Sequence, residues 1–207
     1  MKLIRLLLFP FSILYGLGVI LRNLAYDFGL FKSQRFQLPV ISVGNLSVGG
    51  SGKSPMAEYL IRLLKDQYKI ATLSRGYGRK TTGFLYVDHD SPGSESGDEP
   101  LQFKHKFQDI TVSVCEDRVE GVNRLKSDHE LIILDDAFQH RAIKPGLSIL
   151  LFEYSSLFKL QWLLPTGDLR EPLWATNRAD LIVVSKCPEK LDVERQNAIR
   201  ARFRKDK

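Results

Sequence analysis

Hydrophobic residues in this chain gather in runs of two kinds. The first run, residues 6–21 (LLLFPFSILYGLGVIL), is long and uncharged, with Lys2 and Arg5 before it and Arg22 after it. As a helix it reaches roughly 24 Å at about 1.5 Å per residue, short of the ~30 Å core of a bilayer. That length suits an anchor lying in one leaflet better than a full span. Pro10, Gly16 and Gly18 argue against a straight helix. A signal peptide shares the charge-then-apolar order, but no clear small-x-small cleavage site follows. A buried core helix and a single span are the other readings. Arg22, Lys32 and Arg35 are placed to meet anionic head groups.

The later runs are short and mostly β-branched: 38–43, 69–73, 84–87, 110–114, 131–134, 147–152 and 181–184. Such runs predict strands buried on both faces. Between them, 55–65 carries Met56, Leu60, Leu63 and Leu64 at helical spacing, with Pro55 in the first turn. Residues 118–126 form a weaker helical pattern. Alternating strands and helices predict an α/β fold with a mostly parallel sheet flanked by helices. The acidic, Gly/Ser-rich stretch 88–99 reads as a loop. The last twenty residues read as the opening of a charged helix.

Composition changes this picture little. The chain has 207 residues, 43% hydrophobic and 26% charged, enough for one sizeable α/β domain and not disordered. A net charge of +6 suits anionic partners. The basic residues are scattered, with no aromatic-rich basic stripe, so nucleic acid is not expected. Cys115 and Cys187 have no metal-like spacing and form no disulfide framework.

The chemistry starts at Gly44-Asn-Leu-Ser-Val-Gly-Gly-Ser-Gly-Lys-Ser54, between a predicted strand and a predicted helix. That is the setting of a phosphate-binding loop. Ser47, Val48, Gly49, Gly50, Ser51 and Gly52 would wrap a phosphate with backbone amides. Lys53 would reach the β- and γ-phosphates, and the Ser54 hydroxyl would ligate Mg²⁺. Ser47 stands where the common pattern has its first Gly. The run 131–134 ends in Asp135-Asp136, at the carboxyl end of a strand, where α/β ligands bind. One of this pair would hold the metal.

Weaker clusters accompany these. Gly97-Asp98-Glu99-Pro100 offers a general base beside a metal or substrate contact, or simply a solvated turn. Ser74-Arg75-Gly76-Tyr77-Gly78-Arg79-Lys80 is basic and Gly-rich, so it suits an anionic substrate or a solvated loop. Arg118, in Glu116-Asp117-Arg118, is a candidate for stabilising a transferring phosphate, a role worth about 10³–10⁵ in rate. His89, His105 and His129 read as ordinary surface histidines; His140 follows the Asp pair.

Together, VGNLSVGGSGKSP (43–55), SRGYGRK (74–80), GDEP (97–100), EDR (116–118), LDDAFQHR (134–141) and LPTGDLREPL (164–173) resemble the lipid A 4′-kinase (tetraacyldisaccharide 4′-kinase) family. The resemblance implies a P-loop NTPase-like fold with an N-terminal hydrophobic helix. It also implies that ATP–Mg²⁺ donates its γ-phosphate to the 4′-hydroxyl of a tetraacylated disaccharide 1-phosphate, giving lipid IVA. The setting it implies is the cytoplasmic face of the inner membrane of a Gram-negative bacterium. By the same resemblance Asp98 is the general base with Glu99 beside it. Lys53 and Arg118 attend the transferring phosphate, Asp135 and Asp136 are metal-linked, and Gln139 and His140 line the site. Arg75 and Arg170 are substrate contacts. Ser47 is the family's own departure from the phosphate-loop pattern.

The resemblance divides the chain into a membrane-associated helix and linker (1–35), a kinase domain (36–187) and the start of a helix (188–207). That helix leads toward a second lobe, which in the family supplies a histidine partner for the aspartate. Without that lobe, weak nucleotide binding, poor turnover and exposed apolar surface near the carboxyl end are expected. Two other readings use the same phosphate loop. One is an NTPase switch or metallochaperone-type binder, which would not need Asp98. The other is a kinase of another membrane-associated lipid. Ser185-Lys186-Cys187-Pro188 lacks the Asp of a guanine-reading motif, which favours ATP over GTP.

Overall fold

A computed structural model describes Arg5 and residues 7–203. Lys2, Leu6 and the final residues 204–207, which the sequence reading had included in its terminal segments, lie outside the described residues. In chain order the main elements are α1 (Phe9–Asp27), β1 (Val40–Asn45), α2 (Lys53–Leu64), β2 (Ile70–Ser74), β3 (Leu85–Tyr86), α3 (Asp98–Lys106), β4 (Thr111–Val114), α4 (Arg118–Leu125), β5 (Leu131–Asp135), β6 (Leu147–Glu153), β7 (Leu181–Ser185) and α5 (Val193–Arg202). They group into two compact units.

One unit comprises Lys32–Gly44 and Lys53–Ser148. Its strands run in the order β3-β4-β2-β5-β1. β1 pairs parallel with β5 (Ile41 opposite Ile133), β5 with β2 (Leu134 opposite Leu73), and β2 with β4 (Leu73 opposite Ser113). Among the described strands of this unit only β3 is antiparallel, to β4. β2 and β5 are buried along their whole length, which is why their sequences read as unbroken apolar runs rather than alternating ones. Leu73, Val122, Leu125, Ile132 and Leu134 anchor one core cluster. α2 buries Ala57, Leu60 and Ile61 together with Glu58, whereas Leu63, expected on the same apolar face, is exposed.

The stretch 88–99 departs from the loop reading. Gly93–Ser96 forms one helical turn, and Asp98 is the first residue of α3. Acids in the first turn and Lys104, His105 and Lys106 in the last suit the helix dipole. α3 buries only Pro100 and Phe103, so it carries no apolar periodicity to reveal it.

The other unit comprises the chain up to Phe31, Asn45–Gly52 and Ile149 onward. β6 and β7 pair parallel there, with Leu151 opposite Val183. α1 runs to Asp27 and contains both Gly16 and Gly18. Gly16 is accepted for a packing reason: a Cβ there would lie 2.8 Å from the Leu163 side chain. The burial of α1 is inverted. Ser12, Gly16 and Asn23 are buried, while Phe11, Ile13, Leu14, Leu17, Leu21 and Leu24 are exposed. Toward the carboxyl end, Trp174, Leu181 and Val193 are exposed, and α5 buries no residue.

Candidate active site

Chemistry in the first unit collects where parallel strands end. β5 delivers Asp135, 1% exposed, and its carboxylate accepts the Asp136 amide at 3.0 Å. Asp136 takes a left-handed backbone, φ 47°. The two acids thereby diverge: Asp135 stays in the interior, and Asp136 meets Lys53 Nζ at 3.8 Å. At the start of α2 the Ser54 hydroxyl donates to Glu99 Oε1 at 3.4 Å.

Electrostatics ties these residues together. Burial, then Glu99, then Asp136 push the Asp135 carboxyl up to about 7, with Lys53 and the Asp136 amide pulling the other way. Arg118, 4% exposed, is brought down to about 10 by burial and by neighbouring Arg75, against the opposing pull of Asp136 and Asp135. Its Nη1 donates to the Glu116 carbonyl at 3.1 Å. Lys53, Ser54, Glu99, Asp135 and Asp136 therefore form one cluster, with Arg118 and Arg75 in electrostatic range of the Asp pair. Asp98 is an exposed neighbour of Glu99. Gln139 and His140 occupy the half-buried turn just after the Asp pair. Among the described residues, no three His, Cys, Asp or Glu side chains converge as a metal-ligating group.

The phosphate loop itself is built in the second unit. Gly49 and Gly52 hold φ of 121° and 87°, conformations that exclude ordinary side chains. Asn45, fully buried, donates to Ser51 Oγ at 2.8 Å and to the Gly49 carbonyl at 3.4 Å. Ser185, at the end of β7, donates to the Ser51 carbonyl at 2.7 Å. Ser47 sits in an antiparallel bridge with Leu169, and the Val48 amide donates to the Asp168 carbonyl at 2.7 Å. The Ser51 amide donates to the Gly49 carbonyl at 3.0 Å. The amides of Val48 and Ser51 are thus held within the loop's own scaffold.

Arg170 braces the same loop. Its guanidinium donates to Asn45 Oδ1, and its amide to the Leu46 carbonyl at 2.7 Å. The next residue, Glu171, is 1% exposed and paired with Arg22 at 3.3 Å and with Arg178. Tyr15 donates to the Arg170 carbonyl at 2.9 Å, and Ser12 to the Leu163 carbonyl and Thr166. The polar face of α1 is therefore fastened to the segment that carries Leu163 to Glu171. Asn45 and Glu171 escaped the sequence reading. Their signal was polarity inside an otherwise recognisable motif, which does not reveal burial.

A family model described as tetraacyldisaccharide-1-P 4′-kinase matches residues 4–206. A tetraacyldisaccharide 4′-kinase of Flavobacterium johnsoniae is 51% identical over 207 residues, 99% of this chain and 61% of the relative. One from Bacteroides thetaiotaomicron is 47% identical over 200 residues, 95% of this chain and 53% of the relative. Among solved structures, LpxK from Aquifex aeolicus in complex with ATP superposes with a TM-score of 0.82 at 41% identity, covering 92% of this chain and 62% of that one. The chain thus spans less than two thirds of the length of these relatives. Matched by the family model over almost all its residues, the chain belongs to the tetraacyldisaccharide-1-P 4′-kinase family.

Proposed function

We propose that this chain carries the nucleotide-handling part of an ATP-dependent kinase that phosphorylates the 4′-hydroxyl of a tetraacyldisaccharide 1-phosphate. The observation that carries the reading is the cluster of Lys53, Ser54, Glu99, Asp135 and Asp136 at the carboxyl ends of parallel strands, where α/β ligands bind. Family membership and the ATP complex of the Aquifex relative support it. The loop Ser47 to Ser54 is assigned to the phosphates of ATP, with the Val48 and Ser51 amides bracing its shape and Lys53 on the β- and γ-phosphates.

The donor set fits Mg²⁺. A buried carboxyl pushed to about 7 beside two further acids calls for positive charge, and Ser54, Asp135 and Asp136 offer hard oxygen donors. Mg²⁺ commonly uses one or two protein carboxylates and takes its other ligands from water and phosphate. Ser54, Asp135 and Asp136 would hold the ion, which would supply positive charge to offset that of the phosphates. Asp98 is assigned the proton of the attacking hydroxyl, because an unassisted hydroxyl is a poor nucleophile at neutral pH. Lys53 and Arg118 counter the negative charge of the transferring group. Glu99, Arg75, Gln139, His140 and Arg170 are assigned to orienting substrate and the groups around it.

The acceptor carries acyl chains, so the enzyme must work at a bilayer. α1 supports that setting. A helix made for water buries its apolar stripe, whereas α1 exposes it and fastens its polar face to Leu163, Thr166 and Arg170. A helix fastened along one side suits side-on insertion into one leaflet. We assign it to the cytoplasmic face of the inner membrane of a Gram-negative bacterium. By the same reading residues 1–35 are assigned as the membrane-associated helix and linker, 36–187 as the kinase domain and 188–207 as the segment that starts a helix leading toward a further lobe.

The test is incubation of the complete gene product with radiolabelled ATP and a tetraacyldisaccharide 1-phosphate in detergent, scored for labelled lipid. Asp98→Asn should lower lipid phosphorylation by at least about 10²-fold while ATP binding stays within about twofold. Full activity in Asp98→Asn, or no labelled lipid with wild type, overturns the reading.

A further inference from the structure

Two motifs remain only partly used by this function: the basic loop 74–80 and the acid Glu116. The structure joins them. The Arg79 side chain is 2% exposed. Its Nε and Nη2 donate to Glu116 Oε1 at 3.1 and 2.6 Å, and Nη2 also donates to the Gly83 carbonyl at 2.6 Å. The other Glu116 oxygen accepts the Gly83 amide at 3.0 Å. Burial alone would raise the Glu116 carboxyl, but Arg79, its own backbone amide and the Gly83 amide outweigh it and hold it below its ordinary value.

Each end of this pair leads to a residue assigned to the reaction. On one side, the Glu116 carbonyl accepts Arg118 Nη1 at 3.1 Å, and Asp117 caps α4 through the Val119 and Glu120 amides. On the other, the Arg79 loop holds the segment ahead of Asp98. The Lys80 amide donates to the Ser94 carbonyl at 2.7 Å, and Thr81 Oγ1 to the Glu95 carbonyl at 2.5 Å. Gly76, φ 70°, is wedged between Arg79 and Ser96: a Cβ there would lie 2.6 Å from Arg79 Cδ and 2.8 Å from the Ser96 carbonyl oxygen. Gly97, φ 89°, packs on the backbone of Gly76 and Tyr77, and a Cβ there would lie 3.1 Å from each.

We propose that the Arg79–Glu116 pair is a positioning device, holding the arm that carries Arg118 and the arm that carries Asp98 and Glu99 in register. It rests on the kinase reading above. A buried ion pair is weak as a source of stability and better suited to fixing one geometry. Arginine is needed for that geometry, because its fork spans Glu116 and the Gly83 carbonyl together, which an ammonium point charge does not. The short reach from the pair to both arms makes small displacements matter, since about 1 Å of misplacement can cost roughly 10²-fold in rate.

The experiment compares Arg79→Lys, Arg79→Ala and Glu116→Gln in the complete gene product. It reads kcat and KM for ATP in lipid phosphorylation, thermal midpoint, and amide hydrogen exchange. Arg79→Lys should fold and should lower kcat at least about tenfold, with KM for ATP within about twofold. Exchange should rise in both 94–99 and 116–120. Combining Arg79→Lys with Glu116→Gln should cost little beyond either alone. An unchanged kcat overturns the proposal. So does a kcat loss no larger than the loss of folded protein, faster exchange in one arm only, or full additivity. If wild type itself labels no lipid, the kinase reading fails; the exchange pattern of the two arms still tests the coupling.

Discussion

Two buried carboxylates, one in each unit, are handled in opposite ways. Glu171 and Asp135 are each 1% exposed. Glu171 is clasped by Arg22 and Arg178, so protein groups alone balance its charge. Asp135 has Lys53 within range but also Glu99 and Asp136, and its carboxyl sits at about 7. An acid whose cations come from its own chain is complete once folding is complete. An acid left among other acids holds a proton until positive charge is supplied in its place. The first belongs to architecture, bracing α1 and the segment that holds the phosphate loop. The second belongs to the cluster that the kinase reading assigns to nucleotide and metal.

That contrast predicts opposite effects on stability. Glu171→Ala leaves two arginines facing a buried gap, and removing one partner of a buried pair typically costs 3–5 kcal/mol. Arg22 is 40% exposed and partly screened by water, so the low end applies: about 3 kcal/mol, read from the urea midpoint. A loss below about 1 kcal/mol would make Glu171 an ordinary surface-type pair and dissolve the comparison.

Asp135 should behave the other way, and with a pH signature. Its folded carboxyl is raised from 3.8 to about 7, so the folded state holds the proton more tightly than the unfolded chain. The penalty is absent below pH 4, grows as pH rises from 4 to 7, and is complete above 7. In chelator, without nucleotide, Asp135→Asn should therefore be more stable than wild type at pH 8, by on the order of 3 kcal/mol, and indistinguishable from it at pH 4. Equal denaturation midpoints at both pH values would show that Asp135 is already neutralised within the protein.

Much of this was legible in the sequence, and the missing parts share a cause. Strands such as 131–134 and 147–152 were readable because burial on both faces leaves a plain apolar run. The phosphate-loop motif and the Asp pair stood out because their patterns are local in sequence. α3 was not: with only Pro100 and Phe103 buried, it has no stripe to detect, and its Gly/Ser-rich approach reads as loop. Glu171 was not, because its partners stand 149 residues before it and 7 after it. α1 was readable as apolar. That its buried side would be Ser12, Gly16 and Asn23 followed only from the fold. Short-range patterns report burial on regular elements; pairing between distant charges leaves no such pattern.

The smallest effect isolates Lys53, a protein cation that opposes the upward shift of Asp135. Lys53→Met keeps most of the apolar stem and removes the charge. Asp136 loses a partner at 3.8 Å, and Asp135 should then hold its proton above pH 7, seen as an upward move of its carboxyl titration by NMR. Stability should fall by about 1 kcal/mol at pH 8. At pH 5 it should change by less than about 0.5 kcal/mol, because Asp135 is then protonated and asks for no cation. Glu171 has its own arginines, so its unit should not register the change at either pH. A titration that stays put would mean that Lys53 is held for the phosphates alone. A titration that moves, with ATP affinity lowered as well, would mean that one ammonium group serves the resting acids and the nucleotide in turn.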